Sequence, residues 1–147
     1  MSAASPYDRI AESFNRQQML ATLGARLLRV ADGEVDIELP WSEDIQQQHG
    51  FVHAGAIATI ADSACGYACL TRMTEGSAVL SVEFKINLLA PAMGERFVAR
   101  GRAVRVGRTV GVATAEVIAL AAAKPETCVA IMQATMMRLE PRNGAGG

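Results

Sequence analysis

The chain has 147 residues, half of them apolar and a fifth charged, with a formal net charge of −1. That is one domain of ordinary globular composition, long enough to bury a sizeable core. A net charge so close to zero excludes a chain drawn as a whole to nucleic acid or to an anionic membrane, which leaves only local basic patches open. The start shows no basic-then-apolar run of signal-peptide form. The longest uncharged stretch, Ile45 to Ala61, is interrupted by Gln, His and Gly and followed by Asp62, so it does not read as a membrane span. Three cysteines without CxxC spacing (Cys65, Cys69, Cys128) predict buried thiols in a reducing compartment, and with it a cytoplasmic location.

Ser5-Pro6-Tyr7-Asp8 predicts a helix start, with Ser5 as cap, Pro6 at the first helical position and Asp8 completing a capping box. Ile10 and Phe14 share a face, so one short helix is expected to about Leu20. A hairpin follows: Ala25 to Val30, a turn at Ala31-Asp32-Gly33, then Val35, Ile37 and Leu39 alternating with acidic residues until Pro40. The segment from about Gly55 to Leu70 is rich in Ala and close to a 3.6 period, which predicts a central, well-buried helix. From Ser81 to Leu89 the alternation places Val82, Phe84, Ile86 and Leu88 on one face and Ser81, Glu83, Lys85 and Asn87 on the other. Ala90-Pro91-Ala92 with Gly94 turns the chain. Two long strands, Phe97 to Val106 and Thr109 to Ala121, meet at Gly107-Arg108. A last strand, Cys128 to Leu139, follows the Lys124-Pro125-Glu126 turn. The expected organisation is therefore an N-terminal helix over 1–20, one α+β domain over 21–140 with an antiparallel sheet wrapped around a single helix, and a disordered tail over 141–147.

The stretch that carries chemistry runs from Gln46 to Gly55, with Asp62 beyond it. A polar, glycine-containing loop leads into an apolar helix, so His53-Ala54-Gly55 stands at the helix N-terminus. Backbone N–H groups there lack intrahelical acceptors, and the helix dipole adds partial positive charge. A thioester carbonyl oxygen, or the oxyanion developing on it, could be held at that point. Asp62 lies two turns further along a helix of apolar neighbours, where a lone carboxylate is costly unless it has partners or faces a cleft. It is either a buried aspartate satisfied by hydrogen bonds or a group that deprotonates water or attacks a carbonyl. His49 and His53 are four apart, as metal ligands on a helix can be. The run around Gly50 predicts a loop at His49 and no HExxH pattern is present, so no metal site is expected. Cys65 and Cys69 share a helix face with neither a base nor an electropositive site evident, which predicts core packing. Tyr67 either packs in the core or lines a pocket.

The run His53-Ala-Gly-Ala-Ile-Ala-Thr-Ile-Ala-Asp62 resembles the signature of the hotdog-fold 4-hydroxybenzoyl-CoA thioesterase superfamily. It is most similar to the phenylacetate-degradation (PaaI-like) branch, in which HGG opens the central helix and an acidic residue sits nine positions after the His. Ser81 to Ala92 resembles the strand and turn that follow the helix there. The resemblance implies the hotdog fold, hydrolysis of an acyl-CoA to an acid and free CoA, and no cofactor beyond the CoA moiety of the substrate. It implies Asp62 as general base or nucleophile, the Ala54 N–H as the group that polarises the carbonyl, Gln47 as the residue orienting water or carbonyl, and His53 as a support of the helix start. Ser81 would position water from the neighbouring subunit. HAG stands here where the family has HGG, which serves if φ at Ala54 is negative; Gln47 is one methylene longer than the branch's commoner Asn. Arg100, Arg102, Arg105 and Arg108 gather near Gly107, either as a solvated edge or to hold CoA phosphates, for which Arg105, Gly107, Arg108 and Thr109 are the expected set. A homodimer with sites at its interface, or a dimer-of-dimers tetramer, is implied. Two further activities fit the same fold: hydration or dehydration of enoyl or hydroxyacyl thioesters, and non-catalytic acyl-CoA binding.

Overall fold

The computed structural model describes residues 4–141; the glycine-rich tail from Asn143 lies outside the described residues. Helix α1 (Pro6–Asn15) begins as its sequence predicts. Ser5 Oγ accepts from the Asp8 N–H, and the Asp8 carboxylate accepts from the Ser5 N–H. The single helix expected to Leu20 is instead two, because the chain breaks after Asn15 and α2 spans Gln18–Leu23. On an unbroken helix Leu20 would sit about 120° round from the Phe14 face. The break turns it into the core, where it is buried together with Ile10 and Phe14. Gly24, in the left-handed region at φ 71°, ends α2.

Six antiparallel strands form one sheet in the order β1-β2-β4-β5-β6-β3. They are β1 (Arg26–Ala31), β2 (Glu34–Pro40), β3 (Ala78–Leu88), β4 (Arg96–Val106), β5 (Val110–Leu120) and β6 (Thr127–Leu139). Helix α3 (Ala54–Leu70) intervenes between β2 and β3 and packs across β2 to β6. Phe97, Ala99, Ala113, Val117, Ala134 and Met136 close the core against it with no exposed surface. Small residues set how near the helix comes. At Gly101 an added Cβ would lie 2.4 Å from the Ala64 carbonyl oxygen, so the helix backbone rests directly on β4. The outer sheet face carries a charge ladder, with Glu38 held between Arg26 and Arg96 and Asp36 accepting from Arg102 at 2.8 Å.

Strand β3 corrects one expectation from the alternation. Its pairing with β6 shifts register between Ser81 and Glu83, a β-bulge centred on Val82. Ser81 stands opposite Met136, and Phe84 opposite Ala134, both of which face α3. The extra residue therefore turns Ser81 to the helix side, the face of Phe84 and Ile86, rather than the face of Lys85 and Asn87. Much of the apolar surface of β3 has no cover within the chain: Leu80, Val82, Phe84 and Leu88 are all exposed.

Candidate active site

The first turn of α3 is a backbone donor site. His53 is the N-cap, and its Nδ1 accepts from the Gly55 N–H at 2.8 Å, which places the ring proton on Nε2. The Ala56 and Ile57 N–H groups both donate to the His53 carbonyl, at 3.0 and 3.3 Å. That leaves the Ala54 N–H, among the described residues, without a partner on an exposed helix end. Ala54 has negative φ, since Ala123 is the only non-glycine with positive φ among the described residues. Alanine can therefore present this donor as well as glycine would.

Gln47 arrives on the loop before the helix. Its N–H donates to the Phe51 carbonyl, and its Oε1 accepts from the His49 N–H, which folds the Gln47–Gly50 turn tightly. His49 is an exposed turn residue and shares no helix with His53. Gln47, His53 and Ala54 line a cavity of about 490 Å³ whose other walls, Gln48 apart, are apolar, with Phe51, Ile57, Leu88 and Leu89 among them.

Asp62 lies eight residues on, about 12 Å along the helix axis from Ala54. It lines a second cavity of about 490 Å³ with Ser81, Gly66, Tyr67 and residues of α1. Ser81 Oγ donates to Asp62 Oδ1 at 2.6 Å, with Met136 Sδ beside it at 3.5 Å. The bulge at Val82 makes this contact, and it forms inside one chain, where the resemblance implied a serine from a neighbouring subunit. One oxygen of Asp62 is thereby fixed, and Oδ2 has no partner among the described residues. The same-chain geometry thus unites Asp62 with Ser81, and Ala54 with Gln47 and His53, in two cavities rather than one.

The arginine cluster divides. Arg102 pairs with Asp36 and Glu34, and Arg100 with Glu126, across the outer sheet face. Arg105 and Arg108 are exposed at the β4–β5 hairpin, where the Gly107 N–H donates to Val110 and the Thr109 carbonyl accepts from the Arg138 N–H. Arg105, Gly107, Arg108 and Thr109 line neither cavity. Cys65 and Cys69 are buried, and that burial pushes their thiols up to about 12 and about 11, far from thiolate chemistry at neutral pH. No group of three metal-binding side chains is gathered among the described residues, and no helix is long and apolar enough to cross a membrane.

Sequence reasoning missed Ser13 and Gln17. Both meet the Tyr67 hydroxyl beside the Asp62 cavity: Gln17 Nε2 donates to it at 2.7 Å, and Ser13 Oγ lies 3.1 Å away. Tyr67 both packs in the core, with its ring against Phe14, and lines the cavity. Ser13 lies on α1 and Gln17 just past its end, as the N-cap of α2; their spacing of four, next to the buried Ile10 and Phe14, is the one signal in the sequence for them.

Comparison with known proteins bears on the fold and the family. The model of the thioesterase superfamily matches residues 49–124, just over half of the chain. A thioesterase family protein from Silicibacter pomeroyi superposes with a TM-score of 0.89 at 46% identity, covering 92% of this chain and 99% of that one. The PaaI protein of the E. coli phenylacetic acid degradation operon shares the fold at 18% identity, with a TM-score of 0.82 over 92% and 94% of the two chains. A 1,4-dihydroxy-2-naphthoyl-CoA hydrolase of Listeria monocytogenes is 23% identical over 91 residues, 62% of this chain and 74% of its own. The chain belongs to the thioesterase superfamily, with the hotdog fold and the thioester-hydrolase activity that go with it.

Proposed function

We propose that the protein is an acyl-CoA thioesterase of the PaaI-like branch, releasing CoA and a carboxylic acid from an aryl, phenylacetyl-like or short-to-medium-chain acyl-CoA. The observation that carries this reading is the Ser81-clamped Asp62 carboxylate, which keeps one oxygen free in an open cavity. In this mechanism the substrate carbonyl oxygen takes a hydrogen bond from the Ala54 N–H at the positive end of α3, where the developing oxyanion gains most. Asp62 Oδ2 draws a proton from water, or attacks the carbonyl carbon directly, while Ser81 holds Oδ1. Gln47 orients the water or the carbonyl from the loop above. The exposed Arg105 and Arg108, with Gly107 and Thr109, are proposed to meet the CoA phosphates outside the cavities.

Two halves about 12 Å apart on one helix cannot grip one thioester. The reading therefore includes a homodimer, with the Ala54 half of each site supplied by one chain and the Asp62 half by the other. The apolar, unpaired β3 edge supports such an assembly, and pairing of dimers into a tetramer is part of the proposal. The three unpaired cysteines support a cytoplasmic setting. No separate cofactor enters, because carboxylate, water and backbone donor suffice for the chemistry.

The test is free-thiol detection across a panel of acyl-CoAs, with crotonyl-CoA hydration as the control for hydratase activity. Asp62→Asn is expected to lower turnover by about 10²–10⁴. A folded Asp62→Asn variant with wild-type turnover removes the carboxylate from the mechanism. Hydration of crotonyl-CoA without CoA release moves the protein to the hydratases.

A further inference from the structure

We propose that His53 is a positioning residue that works only as the neutral imidazole: its Nδ1 holds the first turn of α3, and protonating the ring loosens the oxyanion donor and slows turnover at mildly acid pH. The inference rests on the thioesterase reading and adds to it the regulation of that same site by pH.

An N-cap is most often a side-chain oxygen, which accepts from the helix throughout the neutral range. Here the acceptor is a nitrogen, Nδ1 of His53, 2.8 Å from the Gly55 N–H. An imidazole nitrogen accepts only while it carries no hydrogen, and the imidazolium carries one on each. Protonation therefore sets two N–H groups head to head, and it places a cation at the positive end of the helix. The ring then has to swing away, and at this exposed position water is open to it. Without the cap, the Gly55 N–H joins the Ala54 N–H as an unheld donor and the first turn frays. The seat for the ring is close: a Cβ added at Gly55 would lie 3.0 Å from Nδ1 and 3.4 Å from Cε1, so glycine is what lets the imidazole rest there. The same bond also fixes the chemistry of the ring. With Nδ1 engaged and the hydrogen on Nε2, neutral His53 has no lone pair left for a base, and proton abstraction falls to Asp62.

Few charges compete for the ring. No other residue lining its cavity is titratable; the walls from β3, the turn after it and β6 are Leu88 to Ala92 and Val129. Lys85 of β3 faces away, beside Arg100 and Arg102. Glu43 and Asp44, in the 3-10 turn Glu43–Ile45 whose last carbonyl accepts from the His53 N–H, are exposed and outside the cavity wall, as is His49. The first turn of α3 holds no acidic residue. Asp62 of a second copy is the one charge that a shared site would set opposite His53.

The test follows kcat/KM for CoA release between about pH 8 and 5.5, the range in which a histidine changes charge. Wild type, His53→Asn and His53→Ala are each scaled to their own rate at the upper pH. Asparagine caps a helix without titrating, and alanine does not cap. Wild type is expected to lose about fivefold across the range, the worth of one cap, while both variants keep a ratio near one. At the upper pH His53→Asn should be faster than His53→Ala. By NMR, the Gly55 amide resonance is expected to move in step with the His53 ring as it titrates. It should do so in the Asp62→Asn chain as well, because the cap and not the carboxylate is the switch. If the His53 variants do not fold, the wild-type amide and rate carry the measurement, and their midpoints must coincide. A wild-type rate that is flat or rises towards acid pH, a loss that survives in His53→Asn, or a Gly55 amide that stays still overturns the proposal and leaves the hydrolase standing. No CoA release from any thioester at any pH overturns the hydrolase reading itself, and this inference with it.

Discussion

At its first turn α3 offers a backbone N–H beside an apolar cavity; two turns on, it offers a carboxylate clamped by a serine beside a polar one. The first half is made of main chain. Its donor depends on where the helix starts and on the cap that His53 supplies, and the side chain at position 54 is nearly irrelevant. The second half is made of side chains. It depends on the identity of Asp62 and Ser81 and on one extra residue in β3 that turns the serine inward. The two halves should therefore fail under different kinds of substitution.

After Asp62→Asn, the largest effect should come from removing the main-chain donor without touching the fold. Ala54→Pro does so, because proline is favoured at the first helical position and His53, at φ −62° and ψ 136°, already has the extended backbone that precedes a proline. Activity should fall by about 10²–10³ while the melting temperature holds. Ala54→Gly, by contrast, should keep nearly full activity. Mixing refolded Ala54→Pro and Asp62→Asn chains sharpens the comparison further. If each site draws its halves from two chains, half of the random dimers are mixed and each contains one intact site. About a quarter of wild-type activity should return. No recovery would place both halves within one chain.

A smaller effect is expected from Ser81→Ala, which leaves the carboxylate but frees its orientation: a loss of about tenfold, chiefly in kcat. The smallest concerns the buried side of the same helix. Cys65 and Cys69 hold their protons more tightly folded than unfolded, because burial disfavours the thiolate. Their contribution to stability is whole below the unfolded value near 9 and is lost as pH rises towards the folded values. Thermal melts should show Tm falling by a few degrees between about pH 8 and 10.5, and Cys65→Ala should flatten that fall.

Much of this arrangement was readable from sequence, for local reasons. The Ala-rich period, the polar loop before it and the negative φ allowed at Ala54 are all written within about twenty residues, so the helix start and the place of Asp62 on it could be inferred. What escaped depended on pairing between distant segments. The bulge at Val82 exists only in register with β6, so alternation alone put Ser81 on the wrong face. The break between α1 and α2 follows from where Leu20 must go in the folded core. Ser13 and Gln17 acquire meaning only when α1 lies against Tyr67. The alternation of β3 announced an apolar face but not that Leu80, Val82 and Phe84 would stand uncovered in the single chain.

That last feature bears on the life of the newly made polypeptide. Of the two free borders of the sheet, β1 is guarded by Arg26 and Arg29, each held by a glutamate, while β3 presents eleven residues of open backbone flanked by greasy side chains. Such a border is a template for whatever strand arrives first. Yield in a producing cell should then track how fast identical chains find one another, and dilution or slow synthesis should cost soluble material before it costs folding.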